Sequence, residues 1–423
     1  MLAFTFPGQG SQRPGMGASW VDHPSWELVD HACAVVDRDL GTLLLDADEG
    51  ELVRTANAQL ATFVLSLVVL DAAERLGLQP AGCAGHSLGE YTALVATGAL
   101  SYEDGLRLVA ERGDAMQDAA DQVSGTMMAI LGLDDRDVEA ACQRAEGDVW
   151  VANYNAPGQI VIAGAPDALA RAAALARSLG AKRVLSFPVG GAFHTPFMAP
   201  ARDRLRKALA SVAFRELDPP VVANVDARLH PDPEEWASLL SAQLCAPVRW
   251  RQSLEALYEN GARTFVELGP GGVLSGLAKR SLPAGTVTTY SVATPDDLEA
   301  LASALGAAAE RDARVRQVGE RYSMSERLVV APATGPFRLN EAFAAAAPRL
   351  ATARRRTGTV EEGPAAPATI AVAVGDLVGW AGEAEVRSPF SGSLEGVLVL
   401  NGERVVTGQP VAWLRALDEA EAS

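Results

Sequence analysis

Ala81-Gly82-Cys83-Ala84-Gly85-His86-Ser87-Leu88-Gly89-Glu90 starts as a short apolar run and ends on a serine between two glycines. The run predicts a buried strand at Ala81–Ala84, with a helix after the glycines. Gly85-x-Ser87-x-Gly89 is the nucleophile-elbow pattern. A sharp strand-to-helix turn needs small residues on both sides of the serine. It lifts the hydroxyl above the sheet and aims the next backbone N–H at a developing oxyanion. Ordinary glycine-rich turns share so short a pattern, so its surroundings decide the reading.

Outward from this turn, the first 290 residues alternate short β-like runs with helical stretches, which predicts an α/β layer architecture. Phe4–Phe6 reads as a strand ended by Pro7-Gly8-Gln9-Gly10. Residues 57–76 carry apolar residues at helical spacing and close at Gly77. Residues 125–187 read strand, helix, strand, strand, helix, strand, the order of a ferredoxin-like split motif. A strand at Thr264–Glu267 returns the chain to α/β patterning. Thus 1–124 and 188–290 form a large subdomain, 125–187 a small one, and 291–325 a helical linker with an Ala-rich helix at 294–322.

The composition changes beyond this point. Val330-Ala331-Pro332-Ala333-Thr334-Gly335 is echoed by Arg387-Ser388-Pro389-Phe390-Ser391-Gly392. Val-rich runs separated by Gly turns surround both, so 326–423 reads as a small all-β domain of two half-repeats. Residues 341–369, rich in Ala, Arg and Pro, read as an insertion.

The chain has 423 residues, with 53 acids against 36 bases and a net charge of −17. This argues against general nucleic-acid binding, which needs a basic surface. The longest uncharged runs, 149–166 and 184–201, are 18 residues each and are broken by Pro and Gly, so no membrane span is expected. The start has no basic region or cleavage pattern, and the four cysteines show no C-x-x-C. A cytoplasmic location fits, and a zinc site does not.

Several further segments join the elbow. Phe6-Pro7-Gly8-Gln9-Gly10-Ser11-Gln12 opens the chain, and Glu90-Tyr91 extend the Gly-His-Ser-Leu-Gly run. Arg112 lies 25 residues after Ser87, and Ala192-Phe193-His194 ends 107 residues after it. Gln243-Leu244-Cys245-Ala246-Pro247-Val248 precedes Glu267-Leu268-Gly269-Pro270-Gly271. In this order and spacing, residues 1–285 resemble the malonyl-CoA:acyl carrier protein transacylases and the related acyltransferases of polyketide synthases.

The resemblance implies an α/β-hydrolase-like large subdomain with the ferredoxin-like unit inserted. It implies Ser87 as nucleophile and His194 as its base, because a serine hydroxyl is a poor nucleophile until its proton is taken. The histidine is oriented by groups near Gln243, and His86 is structural. The elbow logic gives Leu88 N–H as one oxyanion donor, and the resemblance supplies the second from the Gln9 loop. Arg112 matches the arginine that binds a malonyl carboxylate, for which a guanidinium offers a planar two-pronged donor. Phe193 narrows the pocket toward malonyl, and Asn153 and Asn155 match the acyl-donor entrance. From Arg171 to Lys207 the chain carries eight bases and one acid. Arg202, Arg204, Arg206 and Lys207 in this stretch are candidate docking residues for an acidic acyl carrier protein.

The two half-repeats and Gly408-Gln409-Pro410-Val411-Ala412-Trp413-Leu414 resemble a biotinyl/lipoyl-type barrel-sandwich domain. Such carriers hold their cofactor on a hairpin lysine. The chain's lysines are Lys182, Lys207 and Lys279, so this domain has none. Neither biotin nor lipoate is expected, and an interaction module for a synthase subunit or the carrier remains. The expected activity is malonyl transfer from a coenzyme A thioester to an acyl carrier protein, in polyketide or fatty-acid biosynthesis. A malonate-decarboxylase transacylase and an acyl-carrier-protein acyl hydrolase share the fold. A non-enzymatic scaffold leaves the dyad, oxyanion loop and arginine unexplained.

Overall fold

A computed structural model of the chain describes residues 1–187, 189–316, 326–340, 370–388, 392–399 and 401–415. Two compact units are distinguished, Met1–Ala309 and Glu310–Ser423.

In the first unit, β1 (Leu2–Phe6) is followed by α1 (Glu27–Val36), α2 (Leu40–Leu45), α3 (Glu49–Leu52) and the long α4 (Thr55–Arg75). Next come β2 (Gly82–Gly85), α5 (Gly89–Ala96) and α6 (Tyr102–Gln122). Ala3 to Phe6 are all buried, so β1 has no polar alternation. That is the signature of a parallel strand covered on both faces. β1 pairs in parallel with β2, with Phe6 opposite Gly85. The turns after both strands therefore leave the same sheet edge, where α/β folds place their ligands.

The β-α-β-β-α-β segment comprises β3 (Thr126–Leu131), α7 (Asp135–Arg144), β4 (Val149–Ala156), β5 (Gln159–Gly164), α8 (Pro166–Ser178) and β6 (Arg183–Ser186). Its strands form an antiparallel sheet in the order β4-β5-β3-β6. After α9 (Ala199–Leu209) come β7 (Val221–Val222), β8 (Leu229–His230), α10 (Trp236–Gln243), α11 (Trp250–Glu259), β9 (Thr264–Leu268), α12 (Val273–Ser281), β10 (Thr288–Val292) and α13 (Pro295–Arg316). The main sheet runs β10-β9-β1-β2-β7-β8, parallel except at β7–β8. Val248, between α10 and α11, ties that segment to β4: its N–H donates to Ala152 O and its carbonyl accepts from Tyr154 N–H, both at 2.9 Å.

One sequence expectation holds on a different ground and another changes. By length and composition α4 could cross a membrane, a candidate that counting uncharged runs misses, but 83% of its apolar window is buried in the protein. Its apolar residues serve the core against α6. Leu298 and Leu301 of α13, expected in a linker, are also buried in the first unit's core. The first half of that helix is therefore packed structure rather than a spacer.

The second unit has strands β11 (Glu326–Val330), β12 (Gly335–Leu339), β13 (Ile370–Val372), β14 (Leu377–Ala381), β15 (Ala384–Arg387), β16 (Gly392–Val397), β17 (Arg404–Val405) and β18 (Pro410–Arg415). They form sheets ordered β11-β18-β16-β13 and β15-β14-β12-β17. Val329, Phe337, Val378, Val386, Val411 and Leu414 belong to one buried cluster. The first echoed segment joins β11 to β12, and residues 389–391 of the second lie outside the described residues. β14 and β15 form a hairpin closed at Gly382-Glu383, with φ of 62° at the glycine. The insertion expected at 341–369 and the end of the helix expected at 294–322 lie outside the described residues.

Candidate active site

The elbow is built by close backbone approach. A Cβ at Gly85 would stand 1.8 Å from the Gly89 carbonyl carbon, and one at Gly89 would stand 2.1 Å from Phe6 O. Only glycine fits either position. Ser87 between them has φ of 53°, a left-handed conformation costly for a residue with a side chain. Neighbouring elements hold it there. Ser87 N–H donates to Asn224 Oδ1 (2.7 Å), Asn224 Nδ2 donates to Gly85 O (2.7 Å), and Gln243 Nε2 donates to Ser87 O (2.8 Å).

His194 also has positive φ, 61°, and is 4% exposed. Its Nδ1 lies 2.8 Å from Gln243 O and its Nε2 lies 2.7 Å from Ser87 Oγ. A carbonyl only accepts, so Nδ1 carries the proton and Nε2 offers its lone pair to the Ser87 hydroxyl. Burial, followed by the charge of Arg112, lowers the imidazole pKa to about 3. The base is therefore neutral and ready throughout the physiological range.

Arg112, on α6, is 1% exposed. Its two terminal nitrogens donate to Gln59 Oε1 (2.7 Å), Ser87 Oγ (3.0 Å) and Gln243 Oε1 (2.9 Å). Its Nε is buried with no acceptor among the described residues. All three acceptors are neutral, so this cation stands beside the nucleophile with no carboxylate in its fork. Burial accordingly lowers its pKa. A group with a free carboxylate would complete the charge where an apolar chain would not.

The glycine loop after β1 approaches from the other side. A Cβ at Gly8 would lie 2.4 Å from His86 O, which brings Gln9 to the rim of the same space. The backbone N–H groups of Gln9 and Leu88 have no acceptor among the described residues. They are thus available to an incoming oxyanion. The cavity measures about 460 Å³, and Gln9, Ser87, Arg112, Asn153, Asn155, Phe193 and His194 line it. Met116, Val161, Val189, Leu274 and Leu277 supply apolar wall. Asn155 is not free: its Oδ1 pairs with His86 Nε2 at 2.9 Å, and the His86 ring meets Trp250 edge-on. It therefore fixes the residue before the nucleophile as well as lining the cavity.

The basic stretch is partly paired within the chain. Arg204 is bound to Glu111 through Nε (2.6 Å) and to Asp118 (2.7 Å), both on α6. Arg202 is paired with its neighbour Asp203 at 2.8 Å. Two of the four candidate docking cations thus have carboxylate partners within the chain, while Arg206 and Lys207 are exposed.

Three residues at the site were given no role by the sequence, although Glu90 stood in the run around Ser87. Gln59 holds Arg112, Asn224 braces the elbow, and Glu90 accepts Asn224 N–H (2.6 Å) and Gln243 Nε2 (2.5 Å). Burial pushes the Glu90 carboxyl up to about 8, against the pull of those donors and of Arg112. Gln59 could have been noticed as an amide within an apolar helical run, and the structure buries it fully.

Comparison with known proteins agrees with this geometry. The acyl transferase domain family matches residues 3–314. The malonyl CoA-acyl carrier protein transacylase of Bacillus subtilis is 39% identical over 303 residues, covering 70% of this chain and 95% of the relative. That of Escherichia coli K12 is 40% identical over 311 residues, covering 72% and 98%. An acyl carrier protein S-malonyltransferase from Vibrio cholerae has a TM-score of 0.68 at 39% identity, covering 71% of this chain and 99% of that one. A malonyl-transacylase solved with its type II polyketide synthase acyl-carrier protein has a TM-score of 0.67 at 37% identity, covering 70% and 97%. With the elbow, the histidine and the buried arginine in one cavity, this chain belongs to the acyl transferase domain family, among the malonyl CoA-acyl carrier protein transacylases.

Proposed function

We propose that the protein transfers a malonyl group from coenzyme A to an acyl carrier protein through an acyl-Ser87 intermediate. The observation that carries this reading is Arg112 Nη2 standing 3.0 Å from Ser87 Oγ inside a buried pocket. An acyl group carried on that oxygen sits beside a guanidinium, and a malonyl carboxylate satisfies it. His194 Nε2 takes the Ser87 proton as Oγ attacks the thioester carbonyl. The N–H groups of Leu88 and Gln9 stabilise the oxyanion. The tetrahedral intermediate expels coenzyme A, whose sulfur receives the proton from His194. The carrier's thiol then gives its proton to His194, attacks the ester and restores Ser87. Phe193 limits the room beside the acyl group. Asn153 belongs to the donor entrance. Arg206 and Lys207 are the exposed cations to which an acidic carrier would dock.

In this reading the large unit is α/β-hydrolase-like with a ferredoxin-like insertion, and the enzyme works in the cytoplasm in fatty-acid or polyketide biosynthesis. The second unit is an unmodified barrel-sandwich domain that recognises a synthase subunit or the carrier. Its hairpin turn, Gly382-Glu383, offers no amine to hold biotin or lipoate. Intact mass spectrometry tests these points together. The purified chain should have its unmodified mass, gain one malonyl group from malonyl-CoA, and lose it on addition of a carrier bearing a thiol arm. Failure to gain the group refutes the transfer, and an added biotinyl or lipoyl mass refutes the account of the second unit.

The buried histidine sets the pH response. Its folded pKa, about 3, lies below the ordinary 6.5. Single-turnover acylation should therefore be flat between about pH 5 and 7.5, without an inflection at the ordinary histidine value. Below 6.5 the unfolded chain takes up a proton that the folded site refuses, so this group destabilises the fold increasingly as pH falls toward 3. A rate midpoint near 6.5 would mean that His194 is solvated in the working enzyme.

A further inference from the structure

Glu90 has no part in the malonyl-transfer scheme, yet it lies behind the serine, the histidine and the arginine that scheme uses. It is 1% exposed, on the first turn of α5. Its Oε1 accepts the backbone N–H of Asn224 at 2.6 Å and its Oε2 accepts Gln243 Nε2 at 2.5 Å. Each partner reaches onward. Asn224 binds both sides of the elbow, through Ser87 N–H and Gly85 O. Gln243 accepts His194 Nδ1–H on its backbone carbonyl and Arg112 Nη2–H on its side-chain oxygen. We propose that Glu90 is the positioning residue of this site: through Asn224 and Gln243, its two oxygens hold the Ser87 elbow, the His194 ring and the Arg112 fork in a single arrangement. The inference rests on the malonyl-transfer reading for the roles of those three groups.

One physical argument supports it. The Gln243 amide has unlike ends, and with Nε2 directed at Glu90 and Ser87 O, its oxygen faces Arg112. A flipped amide would set its oxygen against the Ser87 carbonyl and its NH2 against the guanidinium. Glu90 reaches Arg112 through that amide, and the three acceptors on the Arg112 fork are neutral.

Glu90→Gln tests this with almost no change in volume. The new amide can keep Asn224 N–H on its oxygen, but its NH2 then faces the Gln243 NH2, donor against donor. Single-turnover acylation is measured with malonyl-CoA and acetyl-CoA, alongside near-ultraviolet circular dichroism and thermal midpoint. The maximal rate should fall about 100-fold with both donors, the cost of a small misplacement of reacting groups, while KM changes little. Glu90→Asp, whose shorter side chain keeps the carboxyl but withdraws it from Asn224 and Gln243, should reproduce part of the loss and carries the test if the first variant does not fold. A folded variant as fast as wild type would reduce Glu90 to a structural group, and a loss confined to malonyl-CoA would restrict it to Arg112. Either result overturns the proposal. Wild-type enzyme that takes up no malonyl group would instead sink the malonyl-transfer reading itself.

Discussion

Ser87→Ala is expected to take up no malonyl group from malonyl-CoA, and His194→Ala to acylate about 10²- to 10⁴-fold more slowly. The two effects differ in kind. Ser87 Oγ is the atom that would carry the acyl group, so its removal leaves nothing to acylate. His194 removes a proton from that atom across 2.7 Å, and without it the hydroxyl attacks unaided. Arg112 also donates to Ser87 Oγ, at 3.0 Å, and so favours the developing alkoxide even in the histidine variant. That is why a residual rate is expected there and none in Ser87→Ala. Quenched-flow acylation read by intact mass separates the two. An undiminished adduct in Ser87→Ala would remove the serine from the mechanism. A His194→Ala rate equal to wild type would remove the base.

Arg112→Ala should cost malonyl transfer about 3 kcal/mol or more, because removing one partner leaves a buried carboxylate unpaired. That corresponds to roughly a factor of 100 or more in kcat/KM. Acetyl transfer should lose much less, since the acetyl group presents no carboxylate to the guanidinium. The side chain is 1% exposed and its acceptors Gln59 and Gln243 belong to the pocket itself, so water cannot replace it freely. Arg112→Lys keeps the charge but not the planar pair of donors and should recover only part of the loss. The check is the ratio of kcat/KM for malonyl-CoA to that for acetyl-CoA. An equal fall with both donors would make Arg112 a structural support for Ser87 and Gln243 rather than the receptor of the carboxylate.

What the sequence determined by itself was local. Gly85 and Gly89 are readable because they flank Ser87 in a short pattern, and the structure leaves no room for a Cβ at either, Gly85 against Gly89 within the turn and Gly89 against Phe6 of the neighbouring strand. The β-α-β-β-α-β order of 125–187 is readable because strand and helix periods appear over short windows. The hairpin without a lysine is readable because composition needs no coordinates. The tertiary structure decided whatever depends on partners far apart in the chain. Asn224 reaches Ser87 across 137 residues with no local mark of its task, and Gln243, marked in the sequence as orienting the histidine, also reaches Ser87 across 156. Charge shows this most clearly. Counted along the chain, Arg204 belongs to a basic stretch, but in space it is bound to Glu111, 93 residues away. Arg112 looks like one more helix arginine, yet it is buried with no carboxylate in its fork. Electrostatic energy depends on distance and on exclusion of water, and only the folded chain sets either.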